Sequence, residues 1–533
     1  MRKSLSILAL LGISLASFAQ RAERSYAVTD RDWYAAGESM YLSVFCMDVS
    51  RGVALSSLSG VCYVEMASAD GVAATGKIAL MNGRGAGSIQ LPKNLPTGNY
   101  RLYTYTAYAA QEEGFNPLAG SRIISVYNTL SSARVTDGVT AGTVPSTMQR
   151  KESGDLSTQL SSDGRIILTS NTPATVSISV FRNEDLPSYG AGNMADALAV
   201  PVGKQTEDTV PEYDGETLTL RLKGIPEEYV YSNILVSRPG HIGDVYAAPL
   251  KGNGEARFFT CNLYGSGDLV VSMEKGAPAF QAEVVDPFLR LGADDLPKLV
   301  LSPTQKDAIM RLGIRAQVTG AFDADTLYSP LSVRRIPFAS GKPIRYNLDD
   351  YTRFASMQEV FVEYLSHIRT KGSKEQLQMQ VKCKTGYKET LVFSNNPSLI
   401  LVDGVPVEDH SLVYKLDPSL VKEIDVYPYS YALGQVYSGV ANFITFKGDM
   451  GGIRFGDNVK ILDYDGVSYP VAFGPVQDDR YPNQRETLLW QPIVNLKAGE
   501  PLELPSFDVP EGYVLVVEGL THDGTPLYFR EAF

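Results

Sequence analysis

The chain has 533 residues, with 48 Lys and Arg against 60 Asp and Glu, four His and four Cys. A formal charge of −12 without any basic stripe argues against nucleic acid as a partner, and four Cys are too few for a disulfide scaffold. The length suits roughly three to five domains, and 30 Tyr, 47 Gly and 30 Pro suit many short strands joined by tight turns.

Residues 1–19 read as a cleaved secretory signal. Arg2 and Lys3 form a basic start, Leu5 to Leu15 is apolar apart from small residues, and Ser17 and Ala19 fill the small positions ahead of Gln20. The apolar run is too short to span a bilayer, and no later run approaches the necessary length. No Cys lies near the cut, so the mature chain is expected to start at Gln20 without a lipid and without a transmembrane segment. Loss of Arg2 and Lys3 leaves 46 basic against 60 acidic residues, a charge of −14.

Residues 20–136 are predicted to form a β-sandwich. "YLSVFCMD" and "GVCYVEM" are successive strands, and "GAGSIQLPKNLPTGNYRLYTYTAY" is a strand, a Pro/Gly turn and another strand. Cys46 and Cys62 lie in the first two; two buried free thiols are the simpler state, and a disulfide across the sheet is the alternative. The polar tract 137–155 is expected to be a linker. Residues 156–210 form a smaller β-unit around "PATVSISVFR", and 211–295 a second sandwich around "GETLTLRLKG"; both strands alternate apolar and polar residues.

Residues 296–449 change pattern to a small α/β module. Ser302 and Pro303 open one predicted helix, and Ser356 with Glu359 forms a capping box ahead of another. "QLQMQVKCK" is a strand with one wet face, and "SLILVDGVPV" is a hairpin about the Asp403-Gly404 turn. Residues 450–533 are strand-like again. The expected fold class is therefore mainly β, with tandem sandwiches, a small α/β module and a C-terminal β segment.

No catalytic, metal or cofactor motif stands out. His241, His367, His410 and His522 are scattered, and no Cys spacing fits zinc. His367 reads as a half-buried residue on a helix face and His410 as a solvated loop residue. The candidate binding surface is the Asp403-Gly404 hairpin with Tyr427, Tyr429, Tyr431 and Tyr437 of "YPYSYALGQVY". Tyrosines of this kind are common in binding hot spots, and core packing is the competing role.

Three stretches resemble known families. "TDRDWYAAGESMYLSVF", "CYVEM" and "LPTGNYRLYTYT" resemble the macroglobulin-type sandwich. "PEYDGETLTLRLKG" with the later "DPF" resembles the carboxypeptidase-regulatory-like sandwich. "LILVDGVPV", "LDPSLVKEIDVY" and "LGQVYSGVANFITFKG" resemble the plug of TonB-dependent receptors. The arrangement is similar to exported Gram-negative proteins that combine plug and macroglobulin-like domains. A receptor barrel needs about 22 strands, whereas only 84 residues follow Asp449. The Cys-Gly-Glu-Gln thioester segment of protease-trapping macroglobulins is missing as well.

The resemblance implies a non-enzymatic, periplasmic or outer-membrane-associated binding protein without a cofactor, whose barrel-less plug-like module contacts an outer-membrane protein or glycan. An accessory subunit of a TonB-linked transport or secretion complex is one alternative. A hydrolase or protease inhibitor without a readable motif is the other.

Overall fold

In the computed structural model, residues 21–533 are described apart from 147–151, 191, 207–208, 241–243, 262, 323–328, 332, 334–340, 351, 374–376, 385–389 and 475–483. The expected signal and His241 lie outside the described residues. The chain divides into two units, each assembled from segments distant in sequence. One holds residues up to Gly215, Phe288–Val333 and Val467–Phe533; the other holds Glu216–Pro287 and Arg334–Gly466.

The first unit contains two sandwiches, in line with the mainly β fold class. In one, strands Glu23–Thr29, Ser39–Asp48, Ala54–Leu55 and Arg84–Gln90 form a sheet. Its partner sheet runs Trp33–Ala35, Arg122–Tyr127, Gly98–Tyr105, Val61–Ser68 and Gly71–Ala79. Leu42, Val44 and Cys46 meet Cys62, Val64, Tyr100 and Ile124 in the core between them. Both cysteines are buried and free. The candidate disulfide is therefore not formed, and the Cys62 thiol instead donates to the Tyr105 carbonyl at 3.2 Å.

The second sandwich corrects the separation of 156–210 from 450–533. Ala174–Arg182 is a central strand between Thr487–Leu496 and Tyr513–Thr521, and Leu502–Leu504 pairs with Ile166–Ser170. Neither stretch has enough apolar faces alone, and together they close one core through Ile166, Val176, Ile178, Leu515 and Val517. Ala174–Arg182 is also buried on both faces rather than half-buried. Its polar side has a neighbour: Ser179 Oγ donates to the Asp30 carbonyl at 2.5 Å.

The linker and the first helix depart from expectation too. Val139–Ala141 pairs in parallel with Leu299–Leu301, so the polar tract begins as a strand. The helix Lys306–Phe322 follows the Ser302 capping box, but it joins the first unit instead of opening the α/β module. Ala308 and Leu312 pack against Trp33, Phe181, Val514 and Val516. Arg315 ties the helix to Glu184 and Glu486, and burial pushes the Glu486 carboxyl up to about 7.

In the second unit, Glu255–Phe259, Thr217–Lys223 and Gln281–Val284 face Val245–Pro249, Asn233–Ser237, Ser266–Ser272 and Val459–Asp465. The last of these strands returns from beyond the α/β module to complete the sandwich. The module is a five-stranded sheet in the order Ile344–Asn347, Val421–Leu433, Gln435–Thr445, Leu399–Val402 and Val405–Pro406, with a three-stranded sheet Ile368–Lys371, Gln378–Lys384 and Leu391–Phe393. Helices Met357–Glu363 and His410–Tyr414 contribute Met357, Val360, Phe361 and Val413 to its core. The Ser356–Glu359 capping box forms as the sequence predicts. Leu399–Val402 runs parallel to Gln435–Thr445 while pairing antiparallel with Val405–Pro406.

Candidate functional site

The Asp403-Gly404 turn adopts the positive φ values a two-residue hairpin requires, 49° and 83°. It does not project. Asp403 is buried, and its carboxylate accepts from the Thr445 N–H (2.7 Å), the Thr445 hydroxyl (2.6 Å) and the Met450 N–H (2.8 Å). The Gly404 N–H donates to Asn442 Oδ1 at 3.0 Å. A turn with so many internal partners is a structural fastening, so it does not serve as an open contact surface.

The tyrosines are likewise engaged inside the unit. Tyr427 and Tyr437 are buried, and Tyr429 and Tyr431 are half-buried. All four join a cluster with Leu235 and Val245 from the sandwich and Leu399, Leu401 and Val440 from the module. The strand carries a β-bulge between Tyr427 and Ser430, and Tyr427, Tyr429 and Tyr431 share the cluster on both sides of it; burial pushes the Tyr427, Tyr431 and Tyr437 phenols up. Their aromatic area holds module to sandwich. Tyr437 also lines an open cavity.

That cavity is a cleft of about 890 Å³ in the second unit, within the usual size range of small-ligand sites. Gln378 and Gln380 line it from the strand Gln378–Lys384. Asn395 and Asn396 come from the turn before Leu399–Val402, and Glu408 and His410 from the segment after the short hairpin. Gln435 and Tyr437 come from the return strand, and the Gln435 amide donates to the Tyr437 hydroxyl at 3.0 Å. Lys275 lies at the same cleft and is paired with Asp409 at 2.9 Å.

His410 is held in place at the cleft, and it is not the solvated loop residue the sequence suggests. It starts the helix His410–Tyr414 behind Asp409, whose side chain caps the Ser411 N–H. His410 Nδ1 accepts from the Met379 N–H at 2.8 Å, which assigns the proton of the neutral ring to Nε2. Desolvation pulls the imidazole down to about 4. Burial, with Glu274 nearby, pushes the Glu408 carboxyl up. Ser398 Oγ accepts from the Val381 N–H at 2.9 Å and donates to the Ser438 carbonyl at 2.7 Å.

His367 is half-buried as predicted, but it follows the helix and hydrogen-bonds through Nδ1 with the Tyr346 hydroxyl. Among the described residues there is no group of three or more His, Cys, Asp or Glu side chains placed to hold a metal. No helix among them is long and apolar enough to cross a membrane. Sequence reasoning missed Glu408, Asn395, Asn396 and Gln435. The one signal available was the "EDH" run beside a hairpin, which has no motif value by itself.

No family model matches the chain, and no curated protein matches it. Among solved structures it is similar to trypsin-activated alpha-2-macroglobulin from Escherichia coli, at 10% identity and a TM-score of 0.16, with 96% of this chain and 23% of that chain covered. A Salmonella alpha-2-macroglobulin mutant is similar at 11% identity and a TM-score of 0.23, over 96% of this chain and 39% of that one. The Escherichia coli adhesin FdeC is similar at 14% identity and a TM-score of 0.15, over 52% and 63%. The chain thus spans well under half the length of these macroglobulins. Likeness at these scores bears on neither activity nor partner.

Proposed function

We propose that this chain is an exported, non-enzymatic binding protein of the Gram-negative cell envelope, and that its plug-like α/β module works without a barrel by holding a protein or glycan partner at the cleft. The observation that carries this reading is the cleft itself: a cavity of about 890 Å³ lined by side-chain amides, one neutral imidazole, one carboxyl, and the amines of Lys275 and Lys371. Convergent polar groups in a single large concavity are the usual mark of a binding site. Binding is favoured over hydrolysis because Nδ1 of His410 is engaged by a backbone N–H, and the described hydrogen bonds place no Ser, Thr or Cys nucleophile against that ring.

The test uses the mature chain, tagged and recovered from native envelope membranes, with bound material identified by mass spectrometry and sugar analysis. A chain carrying Asn395→Ala, Asn396→Ala and Gln435→Ala serves as the control. The expected result is one partner enriched by the native chain and lost from the control. Equal recovery by both chains, or robust turnover of peptide or glycan substrates by purified protein, overturns the reading.

A further inference from the structure

We infer that the cleft takes a neutral oligosaccharide, seated against Gln378, Asn395, Asn396, His410 and Gln435. This rests on the reading of the α/β module as a binding module and adds the class of ligand.

Three observations point to it. The first is charge. Lys275 is balanced by Asp409 at 2.9 Å, and the other charged lining residues are Lys371 and Glu408, one of each sign. An anionic or cationic ligand therefore meets no concentrated countercharge.

The second is the donor and acceptor inventory. A side-chain amide carries an acceptor and two donors; Gln435 gives one N–H to Tyr437 and keeps its other groups, Gln380 is bonded within the fold at both ends, and the His410 Nε2–H adds a fixed donor. Sugar hydroxyls both donate and accept, so adjacent hydroxyls match an amide at both ends. Apolar Leu377, Pro397 and Val407 lie among these groups and suit the C–H faces of a pyranose ring.

The third observation separates sugar from peptide. Peptides dock on sheets mainly by adding a strand to free backbone groups. At this cleft the relevant edge of Gln378–Lys384 is closed: the Met379 N–H is taken by His410 Nδ1 (2.8 Å) and the Val381 N–H by Ser398 Oγ (2.9 Å). An extended peptide finds no ladder there. A ligand read through side chains alone does not need one.

The experiment presents the full mature chain to immobilised short glucan, mannan, galactan and xylan oligosaccharides, then titrates any positive probe by calorimetry at pH 7. The expected result is saturable binding of at least one class, weakened about ten-fold or more by Asn396→Ala and by Gln435→Ala, with the melting temperature unchanged. Gln378→Ala is a further variant in case the Asn-Asn-Pro turn does not tolerate change. Binding insensitive to all three substitutions overturns the inference. So does a blank array when recovery of a protein partner still depends on the cleft residues; the binding reading then stands and the sugar assignment falls. A blank array together with partner recovery insensitive to the cleft removes both.

Discussion

The carboxylate of Asp403 grips Thr445 twice, at its backbone N–H (2.7 Å) and at its hydroxyl (2.6 Å). The strongest hairpin signal in the sequence is thereby locked to the neighbouring parallel strand. Removing the carboxylate leaves these donors and the Met450 N–H without their partner inside the fold. Asp403→Ala should destabilise the second unit by about 2–4 kcal/mol, since each unsatisfied buried donor costs on the order of 1–3 kcal/mol and water re-enters in part. Urea unfolding monitored on that unit checks the value, and a change below about 0.5 kcal/mol contradicts the assignment.

Tyr427 should behave as a core residue. It is 7% exposed and shares its cluster with Leu235, Val245, Leu399 and Val440. Tyr427→Ala is expected to cost about 3–5 kcal/mol, the range for truncating a large buried aromatic. Partner or sugar binding by the fraction still folded should stay normal. Loss of binding at an unchanged melting temperature would instead return the tyrosines to the role of docking surface.

His410 makes the second unit sensitive to acid. Its folded pKa of about 4 lies below the ordinary value of 6.5, so between these pH values the unfolded chain binds more protons. Stability is full above about pH 6.5 and falls as the pH drops towards 4, by ~2–3 kcal/mol for the isolated group. Glu408 faces the same cleft with its pKa raised, and it slopes the other way above its ordinary value. Asp409 and Lys275 act on the ring in opposite directions. The direct check is therefore NMR titration of the His410 ring in the native chain. A midpoint near 6.5 contradicts the burial argument, and His410→Gln, which can still accept the Met379 N–H, should remove this component of the acid slope.

All four cysteines should label only on unfolding. Cys46, Cys62, Cys261 and Cys383 are buried thiols outside any disulfide, and burial raises the Cys46 and Cys62 thiols away from the reactive thiolate form. Iodoacetamide at pH 8 is expected to leave the native chain unmodified and to add four groups in guanidinium without reductant. A mass two hydrogens lighter, with two thiols missing, would restore the Cys46–Cys62 disulfide.

Local signals in the sequence determined local structure. "PATVSISVFR" became a strand, though one buried on both faces, and the alternation in "GETLTLRLKG", the Ser356 capping box and the Asp-Gly turn became the elements they predict, because periodicity and capping act within a few residues. The mainly β fold class follows from the same signals. Only the tertiary structure decided which segments share a core. Val459–Asp465 completes a sandwich begun near Thr217, and Thr487–Leu496 flanks Ala174–Arg182, pairings that no local pattern encodes. The site shows the same division. Asn395, Gln378, Gln435 and the Glu408–His410 segment come from separate parts of the module, and what unites them is a shared cavity. Neutrality of the imidazole and burial of the tyrosines depend on desolvation by distant parts of the chain, and the closed strand edge on hydrogen bonds to Ser398 and His410, all of which exist only once the fold has formed.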